Sequence, residues 1–246
     1  MKIMIGSPSY DGSVRKEYMT SVLALVESLR AKGIEYTLNL KARTLVHVAR
    51  NLICADFLSD RSCSHLLFLD TDIGFHPSVV SAMLARDEPV VGCGCPYREM
   101  PFQRKAVADK TVGAMLSELF KYNIDPVITD NRIVIENGFL NARSVGAALF
   151  LIARRALETI VQSNAAPKYL AGEFPPNYYG FFDYIFEGGR QIGEDRSFCA
   201  RWLKTNGKPI PCLVTEYVSH VGPIELRGRY SDQLAMNSRQ AEPASG

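Results

Sequence analysis

The chain of 246 residues lacks the features that mark several protein classes. Its 28 basic and 26 acidic residues are mixed along the sequence and give a net charge of +2, so no basic stretch suited to nucleic acid is present. The longest apolar stretch, residues 145–153, is much shorter than the ~20 residues of a membrane-spanning helix. We therefore expect neither a nucleic-acid partner nor a transmembrane segment.

Cysteine is also sparse and carries no metal or disulfide pattern. The six cysteines are scattered without a Cys-x-x-Cys pair, and the close pair Cys93 and Cys95 has no second pair to complete a structural zinc site. Residues 1–6 lack the charged and long apolar regions of a secretory signal. These observations predict reduced thiols and a cytoplasmic protein.

Hydrophobic periodicity predicts an α/β fold for the first part of the chain. Strands are expected at residues 2–5, 35–40, 65–70 and 89–92, and helices at 14–32 and 45–59 and after His76. The continuous apolar run from His65 to Asp70 is typical of a parallel strand buried on both faces. Alternation of this kind indicates a doubly wound, mostly parallel sheet flanked by helices.

The later part of the chain is less regular. Apolar spacing predicts strands at residues 133–135, 144–152 and 209–214, and helices at 154–162 and 194–205. Residues 164–191 are rich in aromatics, Gly and Pro, which indicates a long functional loop. Residues 231–246 are polar and predict a disordered tail after a single domain.

Asp70 and Asp72 follow the predicted central strand, at the edge of the sheet where ligands bind in open parallel sheets. Side chains two residues apart on an extended segment project to the same side, so both carboxylates can share one ligand. Hard oxygen ligands suit Mg²⁺ or Mn²⁺ bridging to a diphosphate. The alternative is that the two acids only cap turns after a core strand.

Two further sites lie downstream. Glu194 and Asp195 begin an amphipathic helix, which brings carboxylates toward the same sheet edge, although N-capping and the helix dipole explain acids there equally well. His220 follows the last strand signals and either completes a metal site, where imidazole favours Mn²⁺ over Mg²⁺, or is structural.

Taken in order, these residues resemble the GT-A fold glycosyltransferases, especially the family-2-like inverting enzymes, over roughly residues 1–223. The matching segments are a Ser-Tyr turn after the first strand, an Ala-Arg-Asn segment, an Asp-x-Asp motif, a small-residue strand, a Gly-to-Arg-Arg stretch, a Glu-Asp pair and a late His. They are Ser7 to Asp11, Ala49-Arg50-Asn51, Asp70-Thr71-Asp72, Val90-Val91-Gly92, Val145-Gly146 to Arg154-Arg155, Glu194-Asp195 and His220.

The resemblance implies a mostly parallel, Rossmann-like sheet with a nucleotide-binding half at residues 1–95 and a mixed acceptor half at 96–230. It implies a nucleotide-sugar donor, UDP favoured, Mn²⁺ or Mg²⁺ as cofactor, and a glycan, lipid-linked or small-molecule acceptor. The implied nucleotide-binding residues are Ser7, Pro8, Ser9, Tyr10, Asp11, Arg50, Asp70 and Thr71. The implied metal ligands are Asp72, Asp70 and His220, and the acceptor or sugar residues are Gly92, Tyr97, Phe181 and Phe182. Asp195 is the implied catalytic base, with Glu194 as runner-up.

The sequence departs from the family pattern in two ways. The second strand offers Asn39 and Lys41 where an acidic residue is usual, and the Gln-x-x-Arg-Trp motif of processive enzymes is absent, which favours single addition. A nucleotidyltransferase acting on a sugar phosphate is one alternative, and a catalytically inactive, metal-dependent UDP-binding protein is another. The aromatic residues also have structural alternatives: Tyr10 packing on the sheet, and Phe181 and Phe182 pinning the loop.

Overall fold

The computed structural model describes residues 1–98, 120–170, 172, 174–222 and 225–240, and gives only the backbone of residues 225 and 236–240. In chain order the described elements are β1 (Lys2–Ser9), α1 (Lys16–Ala31), β2 (Glu35–Ala42), α2 (Val46–Ser59), β3 (His65–Leu69), β4 (Ile73–Phe75), α3 (Pro77–Ala85), β5 (Val90–Cys93), β6 (Ile124–Pro126), β7 (Ile135–Glu136), β8 (Phe139–Val145), β9 (Leu149–Ala153), α4 (Arg154–Gln162), β10 (Ile185–Glu187), β11 (Arg190–Ile192), α5 (Glu194–Asn206), β12 (Ile210–Leu213), β13 (Val218–Val221), β14 (Glu225–Gly228) and α6 (Tyr230–Gln240).

A nine-stranded sheet forms the centre of the molecule, in the order β2-β1-β3-β9-β5-β12-β8-β6, with β7 also paired to β8. The pairs β1–β2, β1–β3 and β5–β12 are parallel, and every pair that contains β8 or β9 is antiparallel. Within the described sheet, β8 and β9 therefore run against the other strands. The predicted α/β class with a mostly parallel central sheet and a mixed later part is confirmed.

Two hydrophobic cores cover the two faces of this sheet, because side chains alternate along each strand. Leu66 and Phe68 of β3 point to the core shared with α2, α4 and α5, whereas Leu67 and Leu69 point to the core shared with α1 and α3. Burial on both faces explains why β3 reads as an unbroken apolar run in the sequence.

The sequence interpretation of residues 144–152 as one strand is wrong. The chain leaves β8 at Val145 and enters β9 at Leu149, and the two strands are not neighbours, since β9 lies between β3 and β5 while β8 lies beside β12. The intervening Gly146, Ala147 and Ala148 are small enough for the chain to turn between the two positions. An apolar run carries no signal for such a break.

A small second sheet, β14-β13-β4, lies beyond the end of β3. The sequence does not predict β4, which begins at Ile73 directly after Asp72. Antiparallel pairing places His220 opposite Ile73, and the Val221 N–H donates to the Asp72 carbonyl at 2.8 Å. This pairing places β13, which is distant in the sequence, next to the end of β3.

One arginine caps the C-terminal end of α2 by hydrogen bonds to backbone carbonyls. Arg154, the first residue of α4, donates from Nε to the Cys63 carbonyl at 2.9 Å and from Nη2 to the carbonyls of Phe57 and Asp60 at 2.6 and 2.7 Å. The last carbonyls of a helix have no partner within the helix, so this guanidinium satisfies groups that would otherwise be left unpaired. Arg154 thus has a structural role and lies at the end of β9 opposite the end that begins beside Leu69.

The expected disordered tail is wrong for residues 231–240, which belong to helix α6; residues 241–246 lie outside the described residues. Within the described parts of the chain, no helix combines the length and apolar character needed to cross a membrane.

Replacing Arg154 by Ala is expected to lower the free energy of unfolding by about 2–4 kcal/mol, because several buried carbonyls lose their partner. Arg155→Ala is the matched control: its side chain is largely exposed and donates to one carbonyl, that of Asp87 at 3.0 Å, so a loss of about 0.5 kcal/mol is expected. Urea denaturation followed by circular dichroism measures both. Equal losses in the two variants would contradict the capping role.

Candidate functional site

A pocket of ≈ 440 Å³ opens where the parallel strands β1 and β3 end, and we call it the strand-end pocket. This is the edge at which open parallel sheets bind ligands. Its described walls include residues 8–11, residues 70–72, Arg15, Leu45, Val46 and Arg98. Pro8, Ser9, Tyr10 and Asp11 thus lie in one pocket with the Asp-x-Asp motif, and their contact with a nucleotide stays a prediction.

The turn after β1 is held by its own polar side chains. Ser9 Oγ accepts the Gly12 N–H at 3.0 Å, and Asp11 Oδ1 accepts the N–H and the hydroxyl of Ser13 at 2.9 and 2.7 Å. The hydrogen bonds from Ser13 lower the pKa of Asp11. Tyr10 makes the tip of this turn and is 81% exposed, so its ring faces the open pocket and does not pack against the sheet.

Ser7 is a correction to the predicted nucleotide-binding set. Its side chain is buried, and its hydroxyl lies 2.6 Å from the Tyr18 hydroxyl of α1. Ser7 precedes the end of β1 and points to the interior, so its side chain does not reach the pocket.

Asp72 and His220 come together through the pairing of β4 with β13. His220 Nε2 lies 3.4 Å from Asp72 Oδ2, while His220 Nδ1 lies 2.7 Å from the Pro96 carbonyl oxygen. A carbonyl only accepts, so Nδ1 carries the hydrogen, and in the neutral ring the lone pair of Nε2 then faces the carboxylate. Two electron-rich atoms directed at one another fit a cation between them.

Arg98 supplies positive charge at the same carboxylate. Its Nη1 lies 3.0 Å from Asp72 Oδ2, on a largely exposed side chain. Burial raises the pKa of Asp72, but the hydrogen bond and charge that His220 supplies when its ring is protonated, together with the charge of Arg98, bring that pKa below its usual value. Asp72 is therefore ionised at neutral pH and available as a ligand.

Asp70 has a different environment, dominated by Arg50. Arg50 Nη2 donates to Asp70 Oδ1 at 2.9 Å and Nη1 to the Ala147 carbonyl at 3.0 Å, while the guanidinium lies 5.3 Å from the Phe68 ring centre. Burial raises the pKa of Asp70, and Arg50 opposes that rise. The prediction that Arg50 contacts a nucleotide needs correction, because this side chain is buried and already paired with Asp70.

The donor atoms fit a divalent cation with few protein ligands. Asp72 and the Nε2 atom of His220 are the two directed groups, and Asp70 is tied to Arg50. No group of three His, Cys, Asp or Glu side chains suited to a metal occurs among the described residues. Such a set fits Mn²⁺ or Mg²⁺ whose remaining ligands are phosphate oxygens and waters.

A second, smaller cavity of ≈ 140 Å³, the inner pocket, adjoins the first. Asp70 lines both pockets, and His220 of the inner pocket faces Asp72 of the strand-end pocket. Glu194 and Asp195, the first residues of α5, lie in its wall. The structure thus brings together three motifs that are far apart in the sequence: the Asp-x-Asp motif, the Glu-Asp pair and His220.

Asp195 is held on both carboxylate oxygens. Oδ2 accepts from Asn123 Nδ2 at 2.5 Å, and Oδ1 accepts the Arg196 N–H at 2.7 Å. Burial, followed by the charge of Glu194, raises the pKa of Asp195 above its ordinary value. A carboxylate with a raised pKa in a cavity is suited to proton transfer.

Of the four residues predicted to contact the acceptor or the sugar, one lines a pocket and three lie in the interior. Tyr97 lines the inner pocket, and its contact with acceptor or sugar stays a prediction. Gly92 lies inside β5, where an added Cβ would be 2.5 Å from Val145 Cγ2, so this glycine serves close packing within the sheet and not a ligand.

Phe181 and Phe182 are fully buried, so their prediction as a sugar surface is wrong. Phe182 stacks on Phe198 with ring centres 4.8 Å apart, and its N–H donates to Asn51 Oδ1 at 2.9 Å. The two rings instead have the structural role named above as the alternative: they pack into the core and hold residues 164–184 against it. Asn51, the residue after Arg50, thereby holds the loop in place.

Sequence reasoning missed Arg15, Arg98 and Asn123. Arg15 precedes α1 at the strand-end pocket and donates its N–H to the Thr71 carbonyl at 2.8 Å. Arg98 and Asn123 follow β5 and precede β6, in a region without clear periodicity. The sequence signal for them is slight: polar residues next to strand ends.

No known family model and no curated protein matches this chain. Among solved structures, the chain is similar to A197 from STIV, at 22% identity and a TM-score of 0.48, over 90% of this chain and 86% of that one. A glycosyltransferase involved in the glycosylation of the major capsid of PBCV-1 gives 12% identity and a TM-score of 0.31, over 67% and 65%. S. aureus TarS 1–349 in complex with UDP gives 16% and 0.37, over 87% of this chain and 58% of that one. Since each of these TM-scores is below 0.5, we take the function from the site itself.

Proposed function

We propose that this protein is a glycosyltransferase that takes a sugar from a nucleotide diphosphate sugar and passes it to a hydroxyl acceptor with inversion. The observation that carries the proposal is the adjacency of the two pockets. The facing pair Asp72 and His220, and Asp195, a carboxylate of raised pKa, lie in adjoining cavities that share Asp70. Glycosyl transfer requires this combination: neutralisation of a leaving diphosphate beside a base for the acceptor.

The strand-end pocket is suited to the diphosphate. The residues that precede α1 and α2, Arg15 and Leu45, both line it, and neither caps its helix through a side chain. Free N–H groups at a helix N-terminus bind phosphate. Asp11, Asp70 and Asp72 add negative charge that Arg15 and Arg98 offset in part, so an anionic ligand there favours an additional cation.

The same pocket offers an apolar surface for the nucleotide base. The exposed ring of Tyr10 lies in its wall together with Leu45 and Val46, both exposed. Aromatic and aliphatic side chains of this kind stack against flat heterocycles. The resemblance of the turn after β1 makes UDP the favoured nucleotide.

Asp72 and His220 are the proposed ligands of Mn²⁺ or Mg²⁺, with Mn²⁺ favoured because imidazole is a ligand. When bound, this cation would offset the negative charge that develops on the departing diphosphate. Arg98 and the free N–H groups of α1 and α2 act on the same charge.

Asp195 is the proposed catalytic base. Its carboxylate takes the proton from the acceptor hydroxyl, whose oxygen then forms a bond to the anomeric carbon as the bond from that carbon to the diphosphate oxygen breaks. Attack on the opposite face inverts the configuration. Among the described residues that line the inner pocket, Asp70, Glu194 and Asp195 outnumber the one arginine, Arg50, which favours an uncharged acceptor, glycan or small molecule, over an anionic one.

The donor class is tested by thermal unfolding in the presence of nucleotides and nucleotide-sugars, with and without Mn²⁺. A ligand of the native state raises stability by about 2.7 kcal/mol at 100 times its Kd, so UDP and a UDP-sugar are expected to raise the Tm only when Mn²⁺ is present. No metal-dependent rise with any nucleotide would contradict the proposal. Pyrophosphate release from a nucleoside triphosphate would favour a nucleotidyltransferase, and tight UDP binding without turnover of any nucleotide-sugar would favour an inactive binding protein.

Asp195→Asn is expected to lower the rate of transfer by about 10²- to 10⁴-fold, because an amide does not accept the acceptor proton. Donor affinity, measured by calorimetry, stays unchanged. Glu194→Gln is the matched comparison, since it removes the neighbouring carboxylate and keeps Asp195. If Glu194→Gln abolishes transfer and Asp195→Asn does not, the base is Glu194.

Asp72→Asn and His220→Ala are each expected to weaken Mn²⁺-dependent UDP binding by about 10- to 100-fold, because each removes one of two protein ligands. Asp130→Asn is the control, since Asp130 is exposed in a left-handed turn that Asn also tolerates. Calorimetric titration of UDP at fixed Mn²⁺ gives the three affinities. If both site variants bind UDP with wild-type affinity, Asp72 and His220 are not the ligands of the cation.

A further inference from the structure

Asn123 lies in the wall of the inner pocket and connects the segment before β6 with helix α5. It directly precedes β6, and its carbonyl accepts the Gly146 N–H at 2.8 Å, which anchors its backbone beside the end of β8. Its side chain crosses to α5, where Nδ2 donates to Asp195 Oδ2 at 2.5 Å. Both residues line the same cavity.

This hydrogen bond fixes the direction of the Asp195 carboxylate. The Arg196 N–H holds Oδ1, but it belongs to the adjacent residue of the same helix and does not by itself aim the group across the pocket. The contact from Asn123 comes from a separate strand segment. With both oxygens held, Asp195 keeps one orientation and one further acceptor direction on each oxygen.

The orientation of the Asn123 amide leaves one of its polar atoms without a hydrogen bond. Its Oδ1 is buried and has no hydrogen-bond partner among the described residues. The opposite orientation of the amide would turn Oδ1 toward the carboxylate oxygen, which is repulsive when Asp195 is ionised. An unsatisfied buried acceptor destabilises the fold, and this orientation keeps the donor side of the amide against Asp195.

We infer that Asn123 is the positioning residue of Asp195: it aims the carboxylate into the inner pocket and stabilises its ionised form. The inference deepens the proposed function and rests on it for the identity of the reaction. Asn123 itself exchanges no proton. Its effect reaches the substrate through Asp195.

Other charged and titratable groups also face Asp195, so the contribution of Asn123 must be separated from theirs. Glu194 raises the pKa of Asp195, whereas Arg50 and Arg196 lower it. The titratable or charged groups around it are, on α5, Glu194, Arg196 and Cys199, on α2, Arg50, and across the pocket, Asp70, Cys95, Tyr97 and His220. All of them remain in place when Asn123 alone is changed.

The test is the titration of Asp195 by carbon NMR of aspartate-labelled protein, with Asp195→Asn identifying the signal. A donor to a carboxylate favours its charged form, so Asn123→Ala is expected to raise the pKa of Asp195 by about one unit. Asn123→Asp keeps the shape and replaces the donor by a second carboxylate, so it is expected to raise the pKa further. Asn141→Ala, an exposed asparagine on β8, is the matched control and leaves the titration unchanged.

Transfer kinetics give the second readout. Asn123→Ala is expected to lower kcat by about 10- to 100-fold without changing the KM for the donor, and to move the acidic limb of the rate profile to higher pH in step with the titration. If Asp195 keeps its wild-type pKa in folded Asn123→Ala and folded Asn123→Asp, the inference is overturned, whatever the transfer activity of these variants. Absence of transfer by the wild-type protein overturns the proposed function, while the titration still decides whether Asn123 acts on Asp195.

Discussion

A buried guanidinium must be paired, and that requirement on Arg50 connects the parts of the site. Arg50 binds Asp70 on one side and the Ala147 carbonyl on the other, and its flat face lies near the rings of Phe68 and Phe182. Removing one partner of such a pair typically costs about 3–5 kcal/mol, because the remaining charge is left unpaired. This one side chain therefore contacts the end of β3, the turn between β8 and β9, and the loop of residues 164–184, and it helps to hold them relative to one another.

The sequence predicts the elements of the fold better than their arrangement. Helix α4 and the starts of β2 and β3 follow from apolar spacing, because periodicity depends on neighbours along the chain. The reversed direction of β8 and β9 and the pairing of β4 with β13 depend on which strands meet in space. Those contacts join residues far apart in sequence, and a local pattern does not contain them.

The same distinction applies to the site. Asp70, Asp72 and Asp195 could be predicted because strand ends and helix starts place polar side chains at one edge of the sheet. Arg50 could not be assigned correctly, since a helical arginine reads as exposed until its burial is known. Phe181 and Phe182 stood in a loop of polar and aromatic residues, where the sequence does not tell which rings turn inward. Arg98 and Asn123 are recognised only through their partners, Asp72 and Asp195.

Asp70 belongs to the walls of both pockets, so under the proposed function it lies between the donor and the acceptor. A ligand that changes the charge on Asp70 from one side changes the electrostatic potential felt on the other. Linkage then requires that donor and acceptor alter each other's affinity by the same factor. Under the proposed function, a single carboxylate shared by two cavities would let donor and acceptor affect each other's binding within one chain.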